Sequence, residues 1–196
     1  MAHVSFPACV PHPEKLSPEG CLSIIGMAGA GKTTIGRELA ALLDWPQLDT
    51  DQVIEATYGA RLEDVTKAVS KEEFLDIEGL VLSRLRIKRT VISTGGSAVY
   101  RPLAMQHLLK LGPVVYIDVP LPVILERISR KPDRGLAIAP GQTVEDLYME
   151  RKLLYETFAT VRIPGGEQPA AHYAALIADW LRTPPENNER RAREGI

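Results

Sequence analysis

Two cysteines in 196 residues, Cys9 and Cys21, are too few for a disulfide framework or a zinc site of the usual kind. Reduced thiols in the cytosol are the expectation. No apolar stretch approaches the roughly 20 residues that span a bilayer. The opening MAHVSFPACVPHPEKL has no basic start and no apolar run of signal-peptide length. A soluble, cytoplasmic chain without membrane contact is expected. Charge of one sign is also missing: 23 basic against 25 acidic residues leave a net charge of −2. A nucleic-acid binder carries a basic excess, so no nucleic-acid partner is expected. What is present is ordinary. Apolar residues at 45% and charged residues at 24% exclude a wholly disordered, collagen-like or coiled-coil chain.

Proline is concentrated at the two ends. Pro7, Pro11, Pro13 and Pro18 make residues 1–19 read as an irregular arm. Residues 183–196, TPPENNERRAREGI, read as a disordered polar tail. Its Arg190, Arg191 and Arg193 are interleaved with Glu186, Glu189 and Glu194, the pattern of a solvated segment. Between them, residues 20–182 form one domain. Short apolar runs at 21–25, 46–48, 90–93, 114–117 and 160–163 predict strands. Helical spacing predicts helices at 33–43, 70–86, 123–128, 144–158 and 170–181. The alternation indicates an α/β fold, a five-stranded parallel sheet with helices on both faces.

Residues 26–34, Gly26-Met27-Ala28-Gly29-Ala30-Gly31-Lys32-Thr33-Thr34, fit the pattern G-x-x-x-x-G-K-[ST]. The motif lies between a predicted strand and a predicted helix, as its mechanism requires. Gly26, Gly29, Ala30 and Gly31 let backbone N–H groups turn inward around phosphate oxygens. The helix beginning at Lys32 and Thr34 adds its positive end. Lys32 is placed to reach the β- and γ-phosphates, and the Thr33 hydroxyl to ligate Mg²⁺. ATP and Mg²⁺ are the cofactors this implies. Asp49-Thr50-Asp51 follows the second strand, where open α/β sheets bind ligands. Asp49 suits Mg²⁺ held through water, and Asp51 suits an attacking hydroxyl. The competing use is a helix N-cap.

The loop, D-T-D with Glu55, and Val91-Ile92-Ser93-Thr94-Gly95-Gly96 together resemble the shikimate kinase family. The arginine-bearing stretch 127–136 and Arg151 in LYMERKLLY add to the resemblance, which covers about residues 20–182. The loop alone is shared by many nucleotide-binding proteins; the D-T-D and S-T-G-G motifs at these spacings are more specific. The resemblance implies a compact P-loop kinase with a mobile lid over about residues 130–141. It puts Mg²⁺ on Asp49, the acceptor hydroxyl on Asp51 and the acceptor beside Gly95 and Gly96. It puts a phosphate-covering lid arginine on Arg134, followed by Gly135 where the family has proline, and a nucleotide-side arginine on Arg130. Lys32, Asp51 and Arg134 would then be the catalytic residues. A monomer is expected.

The chain also departs from the family. The segment G-E-x-x-F-R-x-x-E reads Ser70-Lys71-Glu72-Glu73-Phe74-Leu75-Asp76-Ile77-Glu78, so Leu75 stands at the arginine that helps hold the acceptor carboxylate. A third glycine is replaced by Ser97. Arg151, the other carboxylate-binding arginine, is kept. Losing one Arg–carboxylate pair costs about 2–5 kcal/mol in a desolvated site. It also leaves Glu78 without its usual cation, and a buried carboxylate needs a partner. An acceptor ammonium would supply one. These residues therefore lead to the expectation of a hydroxy amino acid, homoserine first, bound by Asp51, Glu78, Gly95, Gly96, Ser97 and Arg151. The alternative is that Lys71 or an arginine such as Arg61 has taken over the charge and shikimate remains the acceptor. Two other classes fit less well. A non-catalytic ATP-binding regulatory module has no need of Asp51. A nucleotide kinase needs arginines and aromatics that are thin between residues 50 and 85.

Overall fold

The computed structural model describes residues 19–130, 136–138 and 141–182. The arm expected over residues 1–19 (all but Glu19), the tail, Arg134 and Gly135 lie outside the described residues. Five parallel strands, β1 (Leu22–Ile25), β2 (Gln47–Asp49), β3 (Val91–Ser93), β4 (Val114–Asp118) and β5 (Val161–Pro164), form one sheet in the order β2-β3-β1-β4-β5. The central strands are buried at every residue, as apolar runs covered on both faces should be. The edge strands β2 and β5 are half-exposed.

Register carries the functional loops to one end of the sheet. Asp49 pairs with Ser93, and Ile24 with both Ser93 and Val115. The segments that leave β1, β2 and β3 therefore start side by side, beyond the carboxyl ends of the strands. The helices are α1 (Lys32–Leu43), α2 (Thr50–Tyr58), α3 (Leu62–Ala68), α4 (Lys71–Ser83), α5 (Pro102–Leu111), α6 (Leu121–Ser129), α7 (Val144–Phe158) and α8 (Ala170–Arg182). Helix α1 packs on α8, and α4 on α5. Ser70 and Thr143 open α4 and α7 with capping boxes closed by Glu73 and Asp146.

Helices α2, α3 and α5 are absent from the pattern-based expectation; α3 has only seven residues and one buried apolar position, Val65. The predicted helix 70–86 ends at Ser83, where Arg84 caps it through its backbone N–H. Two apolar clusters result. The large one surrounds the sheet and includes Cys21 and Met27, as expected of packing residues. Burial raises the Cys21 thiol pKa, which leaves it unreactive. The small one joins Ile54, Val65, Phe74, Leu75 and Ala137 beneath the α2–α4 segment. Among the described residues no helix is long and apolar enough to cross a membrane.

Candidate active site

The loop after β1 turns on glycines. Gly26 has φ +146°, and a Cβ there would lie 2.8 Å from the Ile117 carbonyl oxygen. Gly31, the N-cap of α1, is left-handed at φ 89° and offers no side chain to the first-turn amides. The start of this 12-residue helix is thus uncapped by any side chain and open to an anion. Lys32 is buried, and its Nζ donates to Gly26 O at 2.8 Å and Met27 O at 3.0 Å. The ammonium lies across the loop it is expected to serve. Arg127 braces the loop from outside by donating to Gly29 O (3.1 Å) and to Gly166 O. Ala30 N closes the turn onto Met27 O at 3.0 Å.

Thr33 and Asp49 meet, the hydroxyl donating to Asp49 Oδ2 at 2.8 Å. The other oxygen of Asp49 accepts from Asp51 N at 3.0 Å and so caps α2. The N-cap use is thus present, and it leaves Oδ2 beside the Thr33 hydroxyl. A hydroxyl and a carboxylate at the loop's edge fit Mg²⁺, which keeps several waters and takes few protein ligands. Among the described residues no group of three or more His, Cys, Asp or Glu forms a denser metal cluster. The uncapped helix, the buried lysine and this oxygen pair all fit a magnesium–nucleoside triphosphate.

Across from them lie the residues expected to hold the acceptor. Asp51 Oδ1 is buried, and a Cβ on Gly95 would come 2.9 Å from it. Gly95 N donates to Thr50 Oγ1 at 3.1 Å, which fixes the glycine turn to the start of α2. Arg151 is 1% exposed; its Nη2 donates to Ala137 O at 2.9 Å and its Nε to Tyr100 Oη at 3.4 Å. Its guanidinium lies beside Gly96, where a Cβ would stand 3.1 Å from Nη1. The structure brings Asp51, Gly95, Gly96, Ser97, Glu78 and Arg151 together in one neighbourhood.

Glu78 corrects one step of the sequence argument. It is buried, but the Ser97 hydroxyl donates to its Oε2. Its carboxyl is pushed up to about 7, first by burial and then by the Asp51 charge, against the lowering pull of Ser97, Arg151 and Lys32. A carboxyl that Ser97 serves, and that binds a proton near neutrality, needs no cation from the acceptor. Leu75, at the missing arginine, is 2% exposed in the small apolar cluster.

Arg130, expected beside the nucleotide, is an exposed C-cap residue bonded to Glu126 at 2.5 Å. Three functional neighbours, Gln47, Tyr155 and Tyr100, escaped the sequence reading. Gln47 Nε2 holds Thr33 O at 2.9 Å and Ser93 Oγ at 3.1 Å, tying α1 to β3. It stands two residues before Asp49 on one strand, so period-2 alternation places it on the same face. Tyr155 Oη donates to Gly96 O at 2.6 Å; it lies one turn after Arg151 on α7, the helical spacing that could have found it. Tyr100 and its neighbour Lys71 are joined through space, the Nζ lying 5.5 Å from the ring centroid, with no sequence signal.

Comparison with known proteins agrees with this geometry. The shikimate kinase family model matches residues 28–182. A shikimate kinase of Pasteurella multocida is 35% identical over 162 residues, covering 81% of this chain and 93% of its own length. One of Novosphingobium aromaticivorans is 33% identical over 171 residues, covering 82% and 88%. The solved structure of shikimate kinase from Acinetobacter baumannii in complex with shikimate superposes with a TM-score of 0.76 at 33% identity, covering 83% of this chain and 92% of that one.

Proposed function

The chain belongs to the shikimate kinase family, and from that premise we propose that Asp51 and Arg151 hold a small acceptor whose hydroxyl receives the γ-phosphoryl group of ATP. As a family member it is an ATP- and Mg²⁺-dependent phosphotransferase acting on an alcohol group. The observation that carries the site assignment is the convergence of Asp51, Gly95, Glu78 and the buried Arg151 beyond the ends of β2 and β3.

Magnesium–ATP, when bound, supplies the phosphoryl group and the charge that neutralises its oxygens. Thr33 and Asp49 would hold the metal. The loop amides and Lys32 would bind the phosphates, and Lys32 would follow charge onto the transferred group. Asp51 would orient the acceptor hydroxyl and take its proton as the O–P bond forms. Arg151 would fix the acceptor through its carboxylate, because a guanidinium matches that group in planar, two-point geometry. The role of Arg134 as a phosphate-covering residue rests on the resemblance alone.

Shikimate is the acceptor with the wider support: the relatives at 33–35% identity carry that activity in their names, and the A. baumannii structure is a shikimate complex. None of the relatives named above supports the expectation of homoserine. Its argument from an unpartnered Glu78 also fails, since Ser97 serves that carboxyl. A hydroxy amino acid stands as the second reading on one observation. Buried Leu75 replaces a carboxylate-binding arginine and narrows what shikimate gains here.

The deciding experiment is ADP release with Mg·ATP and shikimate, homoserine, threonine, serine, gluconate or no acceptor. Shikimate stimulation well above homoserine supports the first reading, and the reverse supports the second. Asp51→Asn should cut stimulated turnover while nucleotide binding stays near wild type. Equal loss of both would remove the role given to Asp51.

A further inference from the structure

We propose that Lys71 is the second cation of the acceptor's carboxylate site and sets specificity for an acid there. The proposal rests on the reading of Arg151 as the carboxylate-binding residue. In the family segment the arginine is preceded, four positions earlier, by an acid. Here the order of charge is changed: the acid position holds Lys71 and the arginine position holds Leu75. Residues four apart share one face of a helix, so positive charge has moved by one turn along α4 rather than vanished.

The geometry gives this move a target. Lys71 Nζ lies 5.5 Å from the centre of the Tyr100 ring, and Arg151 Cζ lies 5.3 Å from the same centre. Tyr100 is thus a shared neighbour of both cations, each drawn to the negative face of its ring. Tyr100 is itself tied to Arg151 by the Nε–Oη bond of 3.4 Å. An acceptor carboxylate held by Arg151 would therefore lie in the field of a second cation carried by the same ring.

Other roles for Lys71 are poorly served. It is the first residue of α4, where a cation opposes the helix dipole, so helix stability does not call for it. Among the described residues no carboxylate lies at ion-pair distance from it. Arg61, the other candidate for the missing charge, is exposed and bonded to Asp64 at 3.1 Å. Leu75 cannot contribute charge and is packed with Ile54, Phe74 and Ala137.

The test is a steady-state comparison of wild type, Lys71→Met, Lys71→Arg and Arg151→Met in the full chain, with shikimate, homoserine and the carboxamide of whichever is turned over. Lys71→Met should raise the acceptor KM about three- to tenfold, the range for a half-exposed charge pair. Its kcat and its KM for ATP should stay within about twofold, since no phosphate contact is assigned to it. Lys71→Arg should restore most of the affinity. The carboxamide should bind wild type and Lys71→Met alike. An unchanged KM in Lys71→Met, beside a raised KM in Arg151→Met, overturns the proposal and leaves the carboxylate reading standing. An equal rise for acid and carboxamide overturns it as well. No rise in either variant, or no acceptor-stimulated turnover by wild type, removes the carboxylate reading and the proposal with it.

Discussion

Glu78 sits in the acceptor neighbourhood as a buried carboxyl whose proton is held to about 7, chiefly by burial. In the unfolded chain the same group titrates near its ordinary 4.5. Between these values the folded protein binds the extra proton, so the contribution of this group to stability is complete below about 4.5 and is lost as pH rises through about 7. Glu78→Gln carries no titrating proton and should lack this loss. Relative to wild type, the variant should gain stability between pH 4 and pH 8, by up to about 3 kcal/mol. Urea unfolding at both pH values reads this directly. The same gap at both would show that Glu78 does not hold its proton so strongly. Lys71 and Arg151 belong to the same scale, since what each does depends on one ring, Tyr100.

The elements that matter are the turn after β3 and the start of α2, which adjoin at the proposed acceptor site. The turn is fixed by Gly95 N on Thr50 and by Tyr155 on Gly96 O. A Cβ on Gly95 would overlap Glu78 Oε1 and crowd Asp51 Oδ1 at 2.9 Å. Two polar side chains therefore occupy the space any larger residue would need. Gly95→Ala should raise the acceptor KM and destabilise the chain by about 1–3 kcal/mol. Nucleotide binding, read with a fluorescent ATP analogue, should change little, because the loop after β1 is held by its own bonds and by Arg127. Matching losses of acceptor and nucleotide affinity would mean that the acceptor and nucleotide sites are not mechanically separate.

The described residues form one parallel sheet inside a large apolar cluster, with a small cluster packed among α2, α3 and α4. A ligand bound only by the folded chain stabilises all of it. Mg·ATP at about 100 times its Kd should add about 2.7 kcal/mol, or about 5–10 °C in Tm for a chain of this size. Lys32→Ala should lose most of that increment and all acceptor-stimulated turnover. Chelation of Mg²⁺ should reduce the increment in wild type. A Lys32→Ala protein that still gains the full shift would place the phosphates away from the loop.

The sequence by itself determined the sheet and the loop after β1. Each is local: an apolar run buried on both faces, and glycines that permit positive φ. It located Asp51, Gly95, Gly96 and Arg151 through motifs whose spacing reflects register. It missed α2, α3 and α5, and α3 has too few buried positions to show a period. Only the tertiary structure decided the state of Glu78, because its partner Ser97 lies 19 residues away and desolvation is set by everything around both. The same holds for Lys71, Tyr100 and Arg151, which come from three separate elements and share one ring. Charge, hydrogen-bond satisfaction and dielectric are properties of a neighbourhood, and a neighbourhood exists only once the chain has folded.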